Sequence, residues 1–314
     1  MNKFVAKQSL LLFLTATIWG VAFVAQSVGT KYIGPFTFNA IRTTIGAIVL
    51  LPYIGLLHYS EQKHEYRHVR KKSNKELIIA GLLCGTLLFI ASNLQQFGIM
   101  HTTAGKAGFI TSMYIVLVPV LGIFLHKKMG VQLWIAVAIA VAGMYFLCGI
   151  GTDASLQKGD LLLLGCAGVF SFHILVVDHF SPRVNGVMLS CIQFLVCSIL
   201  SGIGMLLSET PSISAIWEAR IPILYAGVMS CGVAYTLQII GQKGMNPSVA
   251  SLILSLESVV SVLAGWLILG QKLSPRELCG CALSFTAIIL VQIPSKHALT
   301  PSQRDAKRDS NHHK

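Results

Sequence analysis

The amino-acid sequence predicts an all-α membrane protein with ten transmembrane helices, arranged as two inverted five-helix repeats. Three observations lead there. Apolar residues make up 54% of the 314-residue chain and charged residues 11%, against about 25% charged in an ordinary soluble domain. The charges gather at residues 1–7, 58–76, 126–128 and beyond 293. Between them run apolar stretches of roughly 20 residues, the length that carries a helix across a hydrocarbon core of about 30 Å. Finally, Leu94-Gln95-Gln96-Phe97-Gly98 returns in outline as Leu237-Gln238-Ile239-Ile240-Gly241, each followed by a short polar link and a long apolar stretch. A block with an odd number of spans reverses direction when it is repeated, and two such blocks can enclose a site near the bilayer midplane.

The first span, near 8–29, follows Lys7 and ends without a small-x-small cleavage pattern, so it is expected to be a permanent helix. Spans near 34–57, 76–99, 104–125 and 131–150 complete a first repeat, 8–150. Spans near 159–179, 185–207, 220–241, 246–269 and 275–293 form a second, 159–293. The stretches are continuously apolar rather than alternating, which argues against a β-barrel. Residues 294–314 are polar and basic, and are expected to be a disordered cytoplasmic tail. With ten spans and a cytoplasmic N-terminus, seventeen Lys and Arg fall inside and six outside. That bias places both termini in the cytoplasm of a multi-pass inner-membrane protein. The net charge of +12 is therefore a topology signal, and no nucleic-acid partner is implied. The basic loop 63–75 orients the chain, with contact to anionic lipid as its second reading.

Eight cysteines fall inside predicted spans without metal-ligand spacing, so neither a disulfide nor a metal site is expected. No cofactor motif is present, and no G-x-x-x-x-G-K-[ST] loop signals ATP hydrolysis. Gly81 with Gly85, Ser198 with Gly202, and the series Ser251, Ser255, Ser258, Val262 and Gly265 read as helix-packing seams.

Four segments carry a family likeness. They are Ile18-Trp19-Gly20-Val21-Ala22-Phe23-Val24, Gly34-Pro35-Phe36-Thr37-Phe38-Asn39-Ala40-Ile41-Arg42, Ala107-Gly108-Phe109-Ile110-Thr111-Ser112 with Pro119, and Leu254-Ser255-Leu256-Glu257 with Gly265-Trp266-Leu267-Ile268-Leu269-Gly270. In order, spacing and duplication they resemble the drug/metabolite transporter superfamily, in particular its bacterial EamA-type members with two five-helix repeats. Two departures stand out. Ser258 follows Glu257 where many members have proline, and Lys127 and Gln271 stand where many have an acid. The resemblance implies export of amino acids, related metabolites or toxic compounds, often coupled to protons.

An ionisable group at membrane depth costs at least about 2.5–3.5 kcal/mol on insertion scales, so it normally faces a cavity or a partner. Glu257 reads as a proton- or amine-binding carboxylate, set against a hydrogen-bonded structural glutamate. Arg42 could hold a substrate carboxylate, pair with Glu257, or snorkel to the interface. Asn93, Gln95, Gln96 and Gln238 offer donors and acceptors for a cavity wall or for interhelical bonds. Trp19 and Tyr114 could be aromatic walls or packing. Lys106 and His101 mark an outer mouth, with solvated helix ends as the plainer reading. His173, Asp178 and His179 form the one cluster a proton relay could use. At an internal offset of 151 residues, Trp19-Gly20 falls opposite Phe170-Ser171 and Arg42 opposite Gln193. At slightly different offsets, Gln95 falls opposite Gln238 and Met113 opposite Glu257. The function expected is a secondary transporter of small metabolites working by alternating access, with a proton as a candidate coupling ion and an oligomeric state left open. The competing classes are a membrane-embedded enzyme acting on lipid or a small substrate, and a non-transporting membrane scaffold.

Overall fold

The computed structural model describes residues 3–63, 74–125, 130–148, 157–270 and 274–292. All regular structure among them is helical. The basic loop 63–75, Lys127, Gln271 and the tail 294–314 lie outside this set or largely so. Among the described residues eight helical stretches are long and apolar enough to cross a membrane, and two shorter apolar helices, Val131–Phe146 and Leu278–Val291, accompany them. Large apolar side chains such as Leu82, Leu83, Ile199, Ile203 and Leu267 point outward. A surface of this kind suits lipid.

Local sequence explains where the helices start. Helix α1 (Lys3–Gly29) leads to α2 (Pro35–Lys63), whose first residue is a proline with φ already suited to a helix start. The N–H groups of Phe36 and Thr37, which have no partner within the helix, donate to the Glu209 carboxylate at 2.9 and 2.8 Å. A carboxylate at that position also meets the positive end of the helix dipole. After α3 (Asn74–Ile99), Thr103 caps α4 (Ala104–Thr111), and α5 (Tyr114–Phe124) and α6 (Val131–Cys148) follow. Helix α7 (Lys158–Phe180) opens on a reciprocal cap between Gln157 and Asp160, and α8 (Gly186–Ser208) on Asn185. Short helices α9 (Ile213–Glu218) and α10 (Arg220–Leu224) run into a π-helical segment, Tyr225–Tyr235, continued by α11 (Thr236–Gln242). Asn246 and Pro247 start α12 (Pro247–Leu254), which precedes α13 (Leu256–Leu269) and α14 (Pro275–Gln292). Gly270, at φ 65, closes α13 in the left-handed conformation that glycine adopts without strain.

Two stretches expected as single long helices are each broken near the middle. Between α4 and α5 the backbone tightens: Met113 N–H donates to Ile110 O at 3.1 Å and Ile115 N–H to Ser112 O at 2.9 Å. Between α12 and α13, the Ser255 hydroxyl donates to Leu252 O at 2.7 Å and Ser258 N–H donates to Ser255 O at 3.1 Å. A serine side chain that competes for main-chain carbonyls loosens the regular ladder.

The helices pack α6 on α14, α3 on α7 and α8, α2 on α8 and the π segment, and α1 on α13 and α11. Glycine permits the closest approaches. A Cβ at Gly85 would lie 2.6 Å from Val196 Cβ, so the Gly81–Gly85 pair is a seam between α3 and α8. Gly202 has nothing within 4 Å, so the expected seam at Ser198 and Gly202 rests on Ser198, whose hydroxyl meets Thr44 at 2.6 Å.

Candidate functional site

The two breaks meet at one place. Glu257 stands in the first turn of α13, just past the break, and is 4% exposed. Its Oε1 accepts from the Tyr114 hydroxyl at 2.8 Å and from Ser112 Oγ at 3.4 Å. Both donors belong to the break between α4 and α5, so each interrupted stretch completes the other. Two glycines let the neighbouring helices reach this point. A Cβ at Gly20 would lie 2.8 Å from the Glu257 carbonyl oxygen, and one at Gly108 would lie 2.6 Å from Ser261 Oγ.

Around Glu257 lies a narrow cavity of about 20 Å³. That is room for a water or so, not for a metabolite. Of the residues singled out in the sequence, Glu257, Arg42, Gln95, Gln238, Trp19 and Tyr114 all line it. Phe23, Gln26, Thr111, Phe170, Ser230 and Tyr235 complete most of the wall. The Trp19 and Tyr235 rings are tilted 60° to each other with centroids 4.6 Å apart, and Tyr235 meets Phe194 and His173 edge-on at 5.8 and 6.2 Å. Gln95 Nε2 reaches Thr111 Oγ1 at 3.5 Å. Trp19 Nε1 and Gln238 Oε1 are buried without a protein partner. Polar atoms of that kind carry a desolvation cost that a ligand or water can offset.

Arg42 is 2% exposed on unbroken helix α2, which excludes snorkelling. Its Nε donates to Asn39 Oδ1 at 2.7 Å, and its guanidinium carbon lies 5.8 Å from the centroid of the Phe38 ring. Asn39 Nδ2 donates to Asn93 Oδ1 at 2.9 Å. Asn93 Nδ2 in turn donates to Phe89 O at 2.8 Å and Ser201 Oγ at 3.2 Å. No ion pair joins Arg42 to Glu257. Among the described residues Lys106 Nζ and Asp160 Oδ2 make one, at 2.9 Å.

Asn93 and Gln96 stand behind the wall rather than on it. Asn93 belongs to the Arg42 network, and Gln96 Nε2 donates to Gln26 O at 3.3 Å. Gln95 and Gln96 are adjacent, so their side chains leave the helix about 100° apart and only one can face the cavity. Lys106 is tied to Asp160 rather than simply solvated. His173 is fully buried, with Nε2 3.1 Å from Gln193 Oε1. Asp178 and His179 do not join it: His179 is exposed and its ring packs on Phe180.

The sequence reading missed Asn39, Phe23, Gln26, Phe170 and Tyr235 as members of the site. Phe170 was within reach, since it falls opposite Trp19 at the internal offset and both line the cavity. Asn39 lies one turn before Arg42, and an amide at that spacing is a ready tether for a buried guanidinium.

The chain as a whole is similar to known proteins. The profile of the EamA-like transporter family matches residues 7–149 and again 157–293. An uncharacterized transporter of Archaeoglobus fulgidus is 29% identical over 283 residues, covering 90% of this chain and 84% of that protein. The uncharacterized inner membrane transporter YedA of Escherichia coli is 23% identical over 95% of this chain and 96% of its own. The threonine/homoserine exporter RhtA of Escherichia coli is 22% identical over 96% of this chain and 95% of its own. A solved crystal structure 19% identical in sequence superposes with a TM-score of 0.74 over 92% of this chain and 97% of its own, a likeness of fold. With both halves of the chain matched, this multi-pass membrane protein belongs to the EamA-like transporter family.

Proposed function

We propose that this transporter is an inner-membrane exporter of amino acids or closely related metabolites, working by alternating access around Glu257. The observation that carries the reading is the carboxylate itself. It is buried at membrane depth, held through one oxygen by two hydroxyls, and set where two interrupted helical stretches cross. Breaks at a midplane site are where a carrier can change shape at low cost, because the backbone there is already free of a regular ladder. The cavity is too small for a metabolite as it stands, so cargo must enter in a more open state.

The ten-span inverted arrangement, with repeats at 8–150 and 159–293, is part of the same proposal. The packing pattern supports it: exchanging each element for its counterpart in the other half turns the contact of α3 with α7 into that of α1 with α11, and leaves α2 on α8 and α6 on α14. Trp19 with Phe170, and Gln95 with Gln238, are counterparts that line one cavity. Orientation with both termini in the cytoplasm rests on the basic residues. A proton is proposed as the coupling ion because Glu257 is the one acid in the cavity wall.

The test is counterflow and gradient-driven flux of labelled amino acids in proteoliposomes holding the purified full-length chain, with and without an imposed pH gradient. Uptake of one or more amino acids that responds to the gradient is expected. Flux equal to that of empty liposomes across all twenty would overturn the substrate reading and leave the family assignment standing.

A further inference from the structure

We propose that Asn39 and Asn93 aim Arg42 into the cavity as the counter-ion for a carboxylate on the transported molecule. The carrier then selects a compound bearing both an anionic and an amine group over the corresponding plain amine. The inference rests on the reading of this cavity as the transport site.

The argument begins with what Arg42 lacks. A guanidinium buried to 2% exposure in a membrane helix demands an anion or a full set of acceptors. Here it has neither. Among the described residues its one hydrogen bond runs from Nε to Asn39, no carboxylate lies within the 4.0 Å of an ion pair, and the four terminal N–H groups meet no acceptor. Arg42 nevertheless lines the cavity. With Nε taken, the edge formed by the two terminal nitrogens is the one left, and that edge matches a carboxylate through two parallel hydrogen bonds.

The tether is as informative as the charge. An amide can turn either end toward a neighbour, and here the direction is dictated from outside the pair. Phe89 O can only accept, so Asn93 must present Nδ2 to it and Oδ1 to Asn39. Asn39 must then offer Nδ2 to Asn93, which turns its own Oδ1 toward Arg42. Three bonds in series, anchored on a main-chain carbonyl, therefore orient the guanidinium. Each partner is neutral, so the full positive charge stays available. An aspartate at position 39 would hold Arg42 equally well and cancel that charge. Glu257 supplies the opposite charge on the same cavity wall without pairing to Arg42, which suits cargo that carries both signs.

The test compares each amino acid with its methyl ester, which keeps the amine and removes the carboxylate charge, in proteoliposomes of the full-length protein. Flux is counted per folded molecule. The wild type is expected to favour the acid over its ester by about tenfold or more, since a site built for a hydrogen-bonding group rejects the analogue lacking it. Asn39→Asp, nearly the same shape and able to hold Arg42, should raise KM for the acid, leave transport of the ester intact and lower the acid-to-ester ratio by about tenfold. Arg42→Gln should do the same, and Asn93→Leu should shift the ratio in the same direction. A merely structural role would lower folded yield and leave the ratio unchanged. A wild type that moves acid and ester equally, or an Asn39→Asp variant with the wild-type ratio, overturns the assignment while leaving amino-acid transport intact. A wild type that moves neither set of compounds removes the reading on which the inference rests.

Discussion

Two buried charges share one cavity and are held in opposite ways. Glu257 sits just past a helix break and takes hydroxyl donors from a second break in another stretch. Arg42 sits on an uninterrupted helix, behind a chain of amides that ends on a main-chain carbonyl. The surroundings of Glu257 are irregular, with tightened turns at both breaks. Those of Arg42 are a continuous helix and a chain of amides. The difference suggests a division of labour, with the acid placed to change its occupancy as the helices shift and the base placed to keep a constant direction.

The sharpest way to break that comparison is Glu257→Gln. It keeps volume and hydrogen-bonding capacity but removes titration, so flux per folded molecule should fall near background or lose its response to a pH gradient, while Glu257→Asp retains part of it. Wild-type flux and pH dependence in the Gln variant would sink the role of this residue. Next in size is Gly20→Val. The added atoms would enter the space beside the Glu257 carbonyl, so overpacking should cost about 1–3 kcal/mol in a melt, together with lost flux. Gly202→Ala, with nothing within 4 Å of its new Cβ, is the matched control and should leave both unchanged.

Tyr114→Phe deletes one hydroxyl donor to the carboxylate and little else. A hydrogen bond to a charged group contributes about 1.5–3 kcal/mol, so transport should drop about tenfold with the amount of folded protein preserved. A smaller contrast comes from the adjacent glutamines: Gln95→Leu should change KM by about threefold or more, whereas Gln96→Leu, behind the wall, should move KM less than its neighbour does, as kinetics on both would reveal. The smallest effect is expected at Lys106→Ala. Its bond to Asp160 is partly solvent-exposed, and removal should cost no more than about 1 kcal/mol in the same melt.

Much of the fold was legible because membrane helices obey strict demands. Main-chain polar groups in lipid must bond within their own segment, so a long apolar stretch is a helix almost by necessity. At the helix starts the structure adds side chains that satisfy the first free N–H groups, as at Thr103, Asn185 and Asn246. The site was partly legible for a related reason. Charged and amide groups are costly in lipid, and four of the six residues chosen on that ground, Glu257, Arg42, Gln95 and Gln238, line one cavity together with the aromatic candidates Trp19 and Tyr114.

What composition and order settle by themselves is therefore the helical character of the described chain, its many apolar stretches, its duplicated pattern and the presence of a polar interior. Tertiary structure decided the rest. A helix surrounded by lipid and by other apolar helices carries a weak face signal, so nothing local told Gln95 from Gln96. The breaks at residues 112–113 and at Ser255, and the π-helical turn from Tyr225 to Tyr235, depend on neighbours that accept an irregular backbone. The partners of the two charges lie far along the chain, Tyr114 for Glu257 and Asn93 for the Asn39 that holds Arg42. Such pairings arise only when helices pack, because hydrogen bonds between spans are fixed by which surfaces meet and not by the propensity of any one of them.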